Sequence, residues 1–320
     1  MKLMPSQRVL ESEVISCSVA GLDYPAWAAG TTYAVGGMVT MGRYVYRSLL
    51  ASNVGKSPEV YSKATNIDWL VDGFLPAAVA NQWWVVVSML NRWMMFDGYV
   101  TTETAVSGAD IVVTLQKPGV QAIYFLNVTA STMRVELLDS SSVILFSELV
   151  DMYDGGGMVA DWWEYFFLPI PSPRRNKKID MGTVSGTTDT IRITVSDAVS
   201  CRVGLIAFGY EVSVGTVMWG VNFGISSYDT VTQDSLSGET YLRQGDYARK
   251  VKATARIPSL DVDAIDKVLS DNRSTQCLFD FNENGLGLEA LQMMGFYRSY
   301  EFSLPGKSDE QCNIDIQGLI

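Results

Sequence analysis

The sequence contains no histidine among its 320 residues. Histidine is the most frequent general acid or base in enzymes, and it activates the nucleophile in Ser-His-Asp and Cys-His pairs. It is also a ligand in most zinc sites. Its absence removes these catalytic and metal-binding classes together. We therefore predict that the chain is not an enzyme and has no catalytic residues, no bound metal and no cofactor.

Cysteine is scarce as well, with four residues and no pair at the short spacing of metal sites or redox motifs. The four are Cys17, Cys201, Cys277 and Cys312. Scattered cysteines of this kind are typical of proteins made in a reducing compartment, where thiols stay unpaired. We expect buried free thiols.

Charged residues make up only 18% of the chain, against about 25% in an average soluble domain. The 24 Lys and Arg residues are outnumbered by 35 Asp and Glu residues, so the net charge is −11. This charge repels phosphate backbones and anionic lipid, so we predict no nucleic-acid partner.

Long apolar runs are also missing. The longest, at residues 83–90 and 203–208, are far shorter than the roughly 20 residues that a membrane-spanning helix needs. The first 14 residues alternate polar and apolar side chains and lack the apolar stretch of a secretory signal. We predict neither such a signal nor membrane insertion.

Aromatic residues, in contrast, reach 11%, with eight Trp and fifteen Tyr. A chain with few charges and many aromatic rings often covers part of its surface with partner protein, because interfaces are enriched in aromatic residues. A large ordinary β core needs the same composition. The composition alone leaves both explanations open.

Apolar and polar residues alternate with a period of two along much of the chain. Clear examples span residues 111–115, 133–137, 190–195 and 202–206, and each is rich in β-branched side chains. This pattern predicts short strands with one buried face. Regularly spaced strands with turns between them are typical of sandwiches and barrels. We therefore predict a mostly-β fold around an antiparallel, jelly-roll-like β-sandwich.

One segment, residues 258–269, shows helical periodicity instead. We predict a helix whose N-cap is Ser259. Its buried face is predicted to consist of Leu260, Ile265, Val268 and Leu269. A second, shorter helix is considered at residues 286–294, although an internal glycine weakens it.

These signals divide the chain into segments, which follow in order along the sequence. We predict an extended N-terminal arm (1–23), an aromatic-rich β module (24–72), a linker or connecting strand (73–90), the β-sandwich (91–212) and a C-terminal α+β unit (213–320). The linker is marked by an Ala- and Pro-containing stretch.

The module at residues 24–72 carries a spaced pattern of aromatic residues and glycines. Fewer than about fifty residues bury little aliphatic surface, so aromatic rings must supply the core. The pattern consists of Trp27, Gly30, Tyr33, Gly36, Val39, Gly42, Tyr46, Pro58 and Trp69. This segment resembles the small chitin-binding-like carbohydrate-binding modules of bacterial glycosidases. The resemblance implies that these residues form the scaffold of the module.

The match to that family ends where sugar would bind. Its sugar-binding members carry exposed tryptophans after the second strand, and this sequence has Leu49 and Leu50 there. Two roles therefore stay open for the module: recognition of a host-surface glycan, or structural docking.

The rest of the chain resembles a class of bacteriophage virion proteins. In residues 91–98, Trp93 and Phe96 are expected to begin a buried strand, and Asp97 and Gly98 to form a turn. Other segments that fit the class are 161–167, 247–255, 295–302 and 314–319. The resemblance implies a structural role in a phage tail, neck or baseplate, with synthesis in the bacterial host cytoplasm before incorporation into the virion.

Strand edges indicate how such a protein would assemble. A sandwich exposes edges that a ring or trimer of subunits can close by pairing. Phage tail parts have cyclic symmetry, so the expected partners are copies of this chain and other virion proteins.

Two tryptophan pairs, Trp83–Trp84 and Trp162–Trp163, are predicted to lie in strands. Neighbouring side chains in a strand point to opposite faces, so one ring of each pair should lie in the core. The other should contact a partner or a ligand. Together with Tyr44, these residues are the candidates for binding a sugar or a partner protein.

Acidic residues suggest two further hypotheses. Asp151, Asp154 and Asp161 surround a triple-glycine loop and could bind calcium, although an acidic hairpin loop explains them as well. The pairs Glu148–Asp151 and Asp161–Glu164 could be the acid and nucleophile of a glycosidase. Nothing in the sequence places either pair in a cleft.

The leading hypothesis is a non-enzymatic structural protein of a virion that assembles with other subunits and displays the small module. One alternative is a carbohydrate-recognition protein that attaches to a host surface, and a further one is a polysaccharide hydrolase. Binding to a glycan array separates the first two, and activity on labelled polysaccharide tests the third.

Overall fold

The computed structural model describes residues 1–63, 82–152, 162–167, 175–218, 220–233, 238–281, 291–303 and 309–319. It is mostly β, with several antiparallel sheets and one clear helix, which confirms the predicted fold class. The chain divides into a central unit, Arg8–Ala207, and a terminal unit formed by Met1–Gln7 and Phe208–Ile320.

The regular elements follow in chain order. The strands are β1 (Lys2–Pro5), β2 (Val14–Cys17), β3 (Met38–Met41), β4 (Tyr44–Ser48), β5 (Ser62–Lys63), β6 (Trp84–Met89), β7 (Thr104–Ser107), β8 (Ile111–Leu115), β9 (Ala122–Thr129), β10 (Thr132–Leu138), β11 (Ile144–Asp151), β12 (Lys177–Asp180), β13 (Thr190–Ser196), β14 (Ser200–Gly209), β15 (Val212–Ser213), β16 (Thr216–Val217), β17 (Asn222–Ser227), β18 (Thr230–Gln233), β19 (Thr240–Arg243), β20 (Tyr247–Pro258), β21 (Cys277–Asp280), β22 (Gln292–Ser303) and β23 (Asp309–Gly318). The α-helices are α1 (Pro58–Tyr61), α2 (Asn91–Met94), α3 (Trp162–Phe167) and α4 (Val262–Asp271), and 3-10 turns lie at Glu11–Glu13 and Ser259–Asp261.

Most of the central unit is a sandwich-type pair of sheets. One sheet has the order β11-β10-β13-β8-β2, and the other has the order β12-β9-β14-β7. In β8 and β13, alternate residues are buried because each strand has one inward face. These inward side chains are Ile111, Val113, Leu115, Ile191, Ile193 and Val195. The strands predicted from period-two alternation are confirmed, and each fully buried aliphatic residue contributes about 1.5–3 kcal/mol.

The terminal unit contains one large sheet with a helix packed on it, and a separate two-stranded sheet of β18 and β19. The sheet order is β15-β1-β21-β22-β23-β20-β16, and β17 also pairs with β20. Helix α4 buries Ile265 and Leu269 in the same cluster as Phe279, Ile314 and Ile316. The predicted helix and the two central residues of its apolar face are therefore confirmed.

The start of that helix differs from the prediction. Residues 259–261 form a 3-10 turn, and the α-helix begins at Val262 with no side-chain cap. Ser259 is not the N-cap, because its hydroxyl donates to the Glu310 carboxylate at 3.0 Å. The tighter turn moves Leu260 off the buried face, and its side chain is exposed.

The prediction of a second helix at residues 286–294 is wrong for its C-terminal end. Residues 292–294 belong to β22, where Met293 pairs with Phe279 of β21. Burial of Met293 and Met294 in this sheet explains the strand, because local helical propensity is weak against tertiary packing. Residues 286–290 lie outside the described residues.

The predicted extended arm, residues 1–23, instead supplies strands to both units. β1 pairs with β15 and β21 in the large sheet, where Leu3 and Met4 are buried. β2 pairs with β8 at the edge of a sandwich sheet. The physical reason is the burial of apolar residues, which an isolated arm could not achieve.

Candidate interaction surfaces

The small module has an aromatic core within a sheet of order β3-β4-β6-β5. Trp84 lies at its centre and is fully buried against Val39, Tyr46 and Val86. The indole N–H of Trp84 donates to the Lys56 carbonyl at 2.8 Å. The module therefore includes β6, which had been assigned to the connecting strand 73–90.

The scaffold residues take three kinds of position. Tyr46 is buried, and Trp27 and Tyr33 are partly buried and pack against the same core. Gly36 and Gly42 have φ angles of 82° and 60°, a conformation that glycine adopts without steric cost. Gly30, Val39 and Pro58 complete the described scaffold, and Trp69 lies outside the described residues.

The ligand candidates in the module do not form an exposed platform. Trp84 is fully buried and cannot contact a ligand, which corrects its assignment as a binding residue. Trp83 is half-buried, with the Lys56 ammonium 5.8 Å from its ring centre. Tyr44 is also half-buried and meets Tyr46 edge to face at 6.4 Å. Leu50, which follows the second strand of the module, is exposed.

The two ends of the module lie side by side. The backbone N–H of Asn91 donates to the Asp23 carboxylate at 2.7 Å. Beside this point, the Arg43 guanidinium lies 4.2 Å from the ring centre of buried Trp93. Trp93 had been predicted to begin a strand, but it lies in the short helix α2. The module is thus an insertion at one position of the central unit.

The second tryptophan pair lies on helix α3 and not in a strand. The prediction that one ring of the pair lies in the core rested on the alternation of side chains in a strand. That alternation does not apply here, because in a helix the residues four apart are neighbours. Trp162 stacks on Phe166 with ring centres 6.2 Å apart. Trp162, Trp163 and Phe166 are all exposed, so neither tryptophan is in the core.

Strand β11 is an open edge of the sandwich. Among the described strands it pairs only with β10, and it carries large apolar side chains. The exposed side chains are Ile144, Leu145 and Leu149, and Val143 directly before the strand is exposed as well. An exposed apolar edge of this kind is a site for pairing with another chain.

The acidic candidates separate in the structure. Glu148 and Asp151 lie three residues apart in β11 and point to opposite faces, so they cannot flank one sugar. Asp154, Asp161 and the side chain of Glu164 lie outside the described residues. Within the described part of the chain, no group of three or more acidic or cysteine residues could hold a metal ion.

The four cysteines are free thiols, and Cys201, Cys277 and Cys312 are buried, as expected. Burial raises the pKa of Cys277 to about 12 and that of Cys312 to about 11. These thiols stay protonated at neutral pH and are unsuited to nucleophilic chemistry.

A β-ribbon in the terminal unit exposes a further apolar surface, which we call the apolar ribbon (residues 222–233 and 238–252). β17 pairs with β20, and β18 pairs with β19. The exposed large side chains along it are Phe223, Ile225, Tyr228, Val231, Tyr241, Leu242 and Tyr247. All eight residues of β18 and β19 are exposed, although an isolated two-stranded hairpin is only marginally stable in water.

An open depression of about 420 Å³ lies on this ribbon. Phe223 and Ile225 line it from β17, and Tyr247, Arg249 and Val251 line it from β20. Phe223 pairs with Val251, and Ile225 pairs with Arg249, so these side chains share one face of the sheet. Because Val251 belongs to the core, the apolar floor of the depression continues the core into solvent.

Sequence reasoning did not single out the apolar ribbon. Its alternating apolar residues predict strands, but the same alternation occurs where one face is covered by the fold itself. The pattern therefore could not predict that this apolar face is exposed.

No protein-family model and no curated protein sequence matches the chain. None of the helices in the described ranges has the length and apolar character that crossing a membrane requires.

Proposed function

We propose that the chain is a structural component of a bacteriophage virion, in the tail, neck or baseplate, that binds copies of itself and neighbouring virion proteins. One observation carries this proposal: strands in both units expose rows of large apolar side chains. These are β11 in the central unit and the apolar ribbon in the terminal unit. Large exposed apolar patches are rare on monomeric soluble proteins and frequent on the subunits of stable assemblies.

The composition supports the same function. With 18% charged residues and eight tryptophans, the chain has few charged side chains to cover its surface. Contact with other subunits removes these apolar strands from water, and each Å² of apolar area removed contributes about 25 cal/mol.

The direct test is the composition of the particle. Phage particles produced from the genome that encodes the chain are purified and analysed by mass spectrometry and by immunogold labelling with antibodies against the chain. We expect the chain in intact particles, with label at the tail, neck or baseplate. Its absence from particles would overturn the proposal.

The displayed module should be dispensable for assembly. Because Asp23 and Asn91 are hydrogen-bonded neighbours, residues 24–90 can be replaced by a short glycine linker with little change in backbone path. We expect the shortened chain to fold and to enter particles. A chain that folds but does not enter particles would make the module the assembly element.

A second candidate function, glycan recognition, is favoured by one observation. Trp162, with 78% of its surface exposed, and Trp163 offer aromatic faces of the kind on which sugars stack. A glycan array probed with the full chain tests this function. Binding that is lost in a Trp162→Ala/Trp163→Ala variant and kept in Trp83→Ala would support it, and no binding by the full chain would reject it.

A further inference from the structure

Leu260 is the most exposed large apolar side chain in the described part of the chain, with 96% of its surface accessible. It lies in the 3-10 turn between β20 and α4, next to Asp261 and close to Asp263. Both aspartates are exposed. We call Leu260, Asp261 and Asp263 the leucine knob, an apolar side chain flanked by two carboxylates.

The depression on the apolar ribbon has the complementary character. Its floor is apolar and is formed by Phe223, Ile225 and Tyr247. Its charged side chain is Arg249, because Lys250 alternates to the other face of β20, and no carboxylate is among the described residues that line it. An apolar side chain that carries carboxylates beside it therefore fits this depression in both polarity and charge.

Strand β20 holds the two surfaces apart within one copy. The depression involves the first residues of β20, and the leucine knob follows directly after its last residue, Pro258. A strand rises about 3.3 Å per residue, so the twelve residues of β20 separate its ends by roughly 36 Å. The knob and the depression of one copy therefore cannot meet each other.

We infer that the leucine knob of one copy docks into the depression of the next copy. In this contact Leu260 packs on Phe223 and Ile225, and the two carboxylates face Arg249. The surfaces differ, so the contact is head-to-tail, and repeated contacts close a ring or extend a filament according to the rotation between copies. The inference deepens the proposed structural role and rests on it.

The first test compares variants of the full chain by light scattering over a range of concentrations. Leu260→Asp and Ile225→Asp change exposed residues, so both variants should fold. Each should weaken self-association by at least roughly tenfold, because a buried leucine contact alone accounts for a factor of that size. The matched control is Val199→Asp, which changes an exposed apolar residue outside the terminal unit and should assemble like the wild-type chain.

The second test mixes the two defective variants. The Leu260→Asp chain keeps an intact depression, and the Ile225→Asp chain keeps an intact knob, so one contact can form between them. We expect the mixture to give dimers that grow no further, whereas each variant alone stays monomeric. A contact between identical patches would not be restored by mixing, and a mixture that stays monomeric would overturn the head-to-tail arrangement.

Cross-linking checks the same contact without relying on loss of assembly. Leu260→Cys mixed with Ile225→Cys should give a disulfide-linked dimer under oxidation, and Leu260→Cys mixed with Val199→Cys should not. If the wild-type chain forms defined oligomers and the aspartate variants do so equally, this contact is wrong and the structural role stands. If the wild-type chain stays monomeric and is absent from particles, both the contact and the proposed function fail.

Discussion

Removal of Trp84 should destabilise the small module more than removal of Trp27, which the sequence pattern places first in the same scaffold. Trp84 is fully buried, donates a hydrogen bond to the Lys56 carbonyl and meets Tyr33 edge to face at 5.2 Å. Replacing a fully buried tryptophan with alanine costs about 3–5 kcal/mol. That range includes about 0.5–1.5 kcal/mol for the hydrogen bond and a similar amount for the ring pair.

Trp27→Ala is the matched control, because Trp27 packs on the same core but is only half-buried. Its buried indole N–H has no hydrogen-bond partner within the described residues, so its removal also relieves an unpaired donor. We expect a loss of about 1–2 kcal/mol for Trp27→Ala.

The assay is urea unfolding followed by circular dichroism, together with hydrogen exchange of peptides that cover β4 and β6. The exchange measurement reports opening of the module even where the rest of the chain stays folded. Faster exchange in Trp84→Ala than in Trp27→Ala supports the assignment of the core. Equal or greater destabilisation by Trp27→Ala would refute the reasoning.

Three further predictions follow from single positions. Leu269→Ala should cost about 2–5 kcal/mol in urea unfolding, whereas exposed Leu260→Ala should stay within about 0.5 kcal/mol, and equal losses would contradict the observed helix face. Gly42→Ala should cost about 1–2 kcal/mol because its φ is positive, and Gly30→Ala should be near neutral in the same measurement. Burial raises the pKa of Asp97 to about 6, so the folded state binds more protons than the unfolded state and stability should fall as pH rises from about 4 to about 6. The Asp97→Asn variant should lack this fall. If urea unfolding gave the same pH profile for the variant and for the wild-type chain, the raised pKa of Asp97 would be rejected.

Local patterns in the sequence were sufficient for the strands and for the principal helix. In β8 and β13, alternation of β-branched residues identifies the buried face, because each strand needs only one covered side. Ile265 and Leu269 lie one helical turn apart, so their common face is also a local property. The positive φ of Gly42 follows from the tight turn between β3 and β4.

The candidate surfaces depended on contacts between distant parts of the chain. The same alternation that buries residues of β13 leaves Phe223 and Ile225 exposed, because the sheet around β17 extends past its core. Trp84 and Trp162 are both tryptophans in neighbouring pairs, yet one is fully buried and the other is exposed on a helix.

The sequence by itself therefore determined the mostly-β class, the main strands, the principal helix and the absence of histidine chemistry. Only the tertiary structure decided that β1 joins the sheet of the terminal unit, that Leu260 leaves the helix face and that the apolar ribbon is uncovered. The physical reason is that periodicity records which residues share a face. Whether that face is covered depends on residues far away in the sequence.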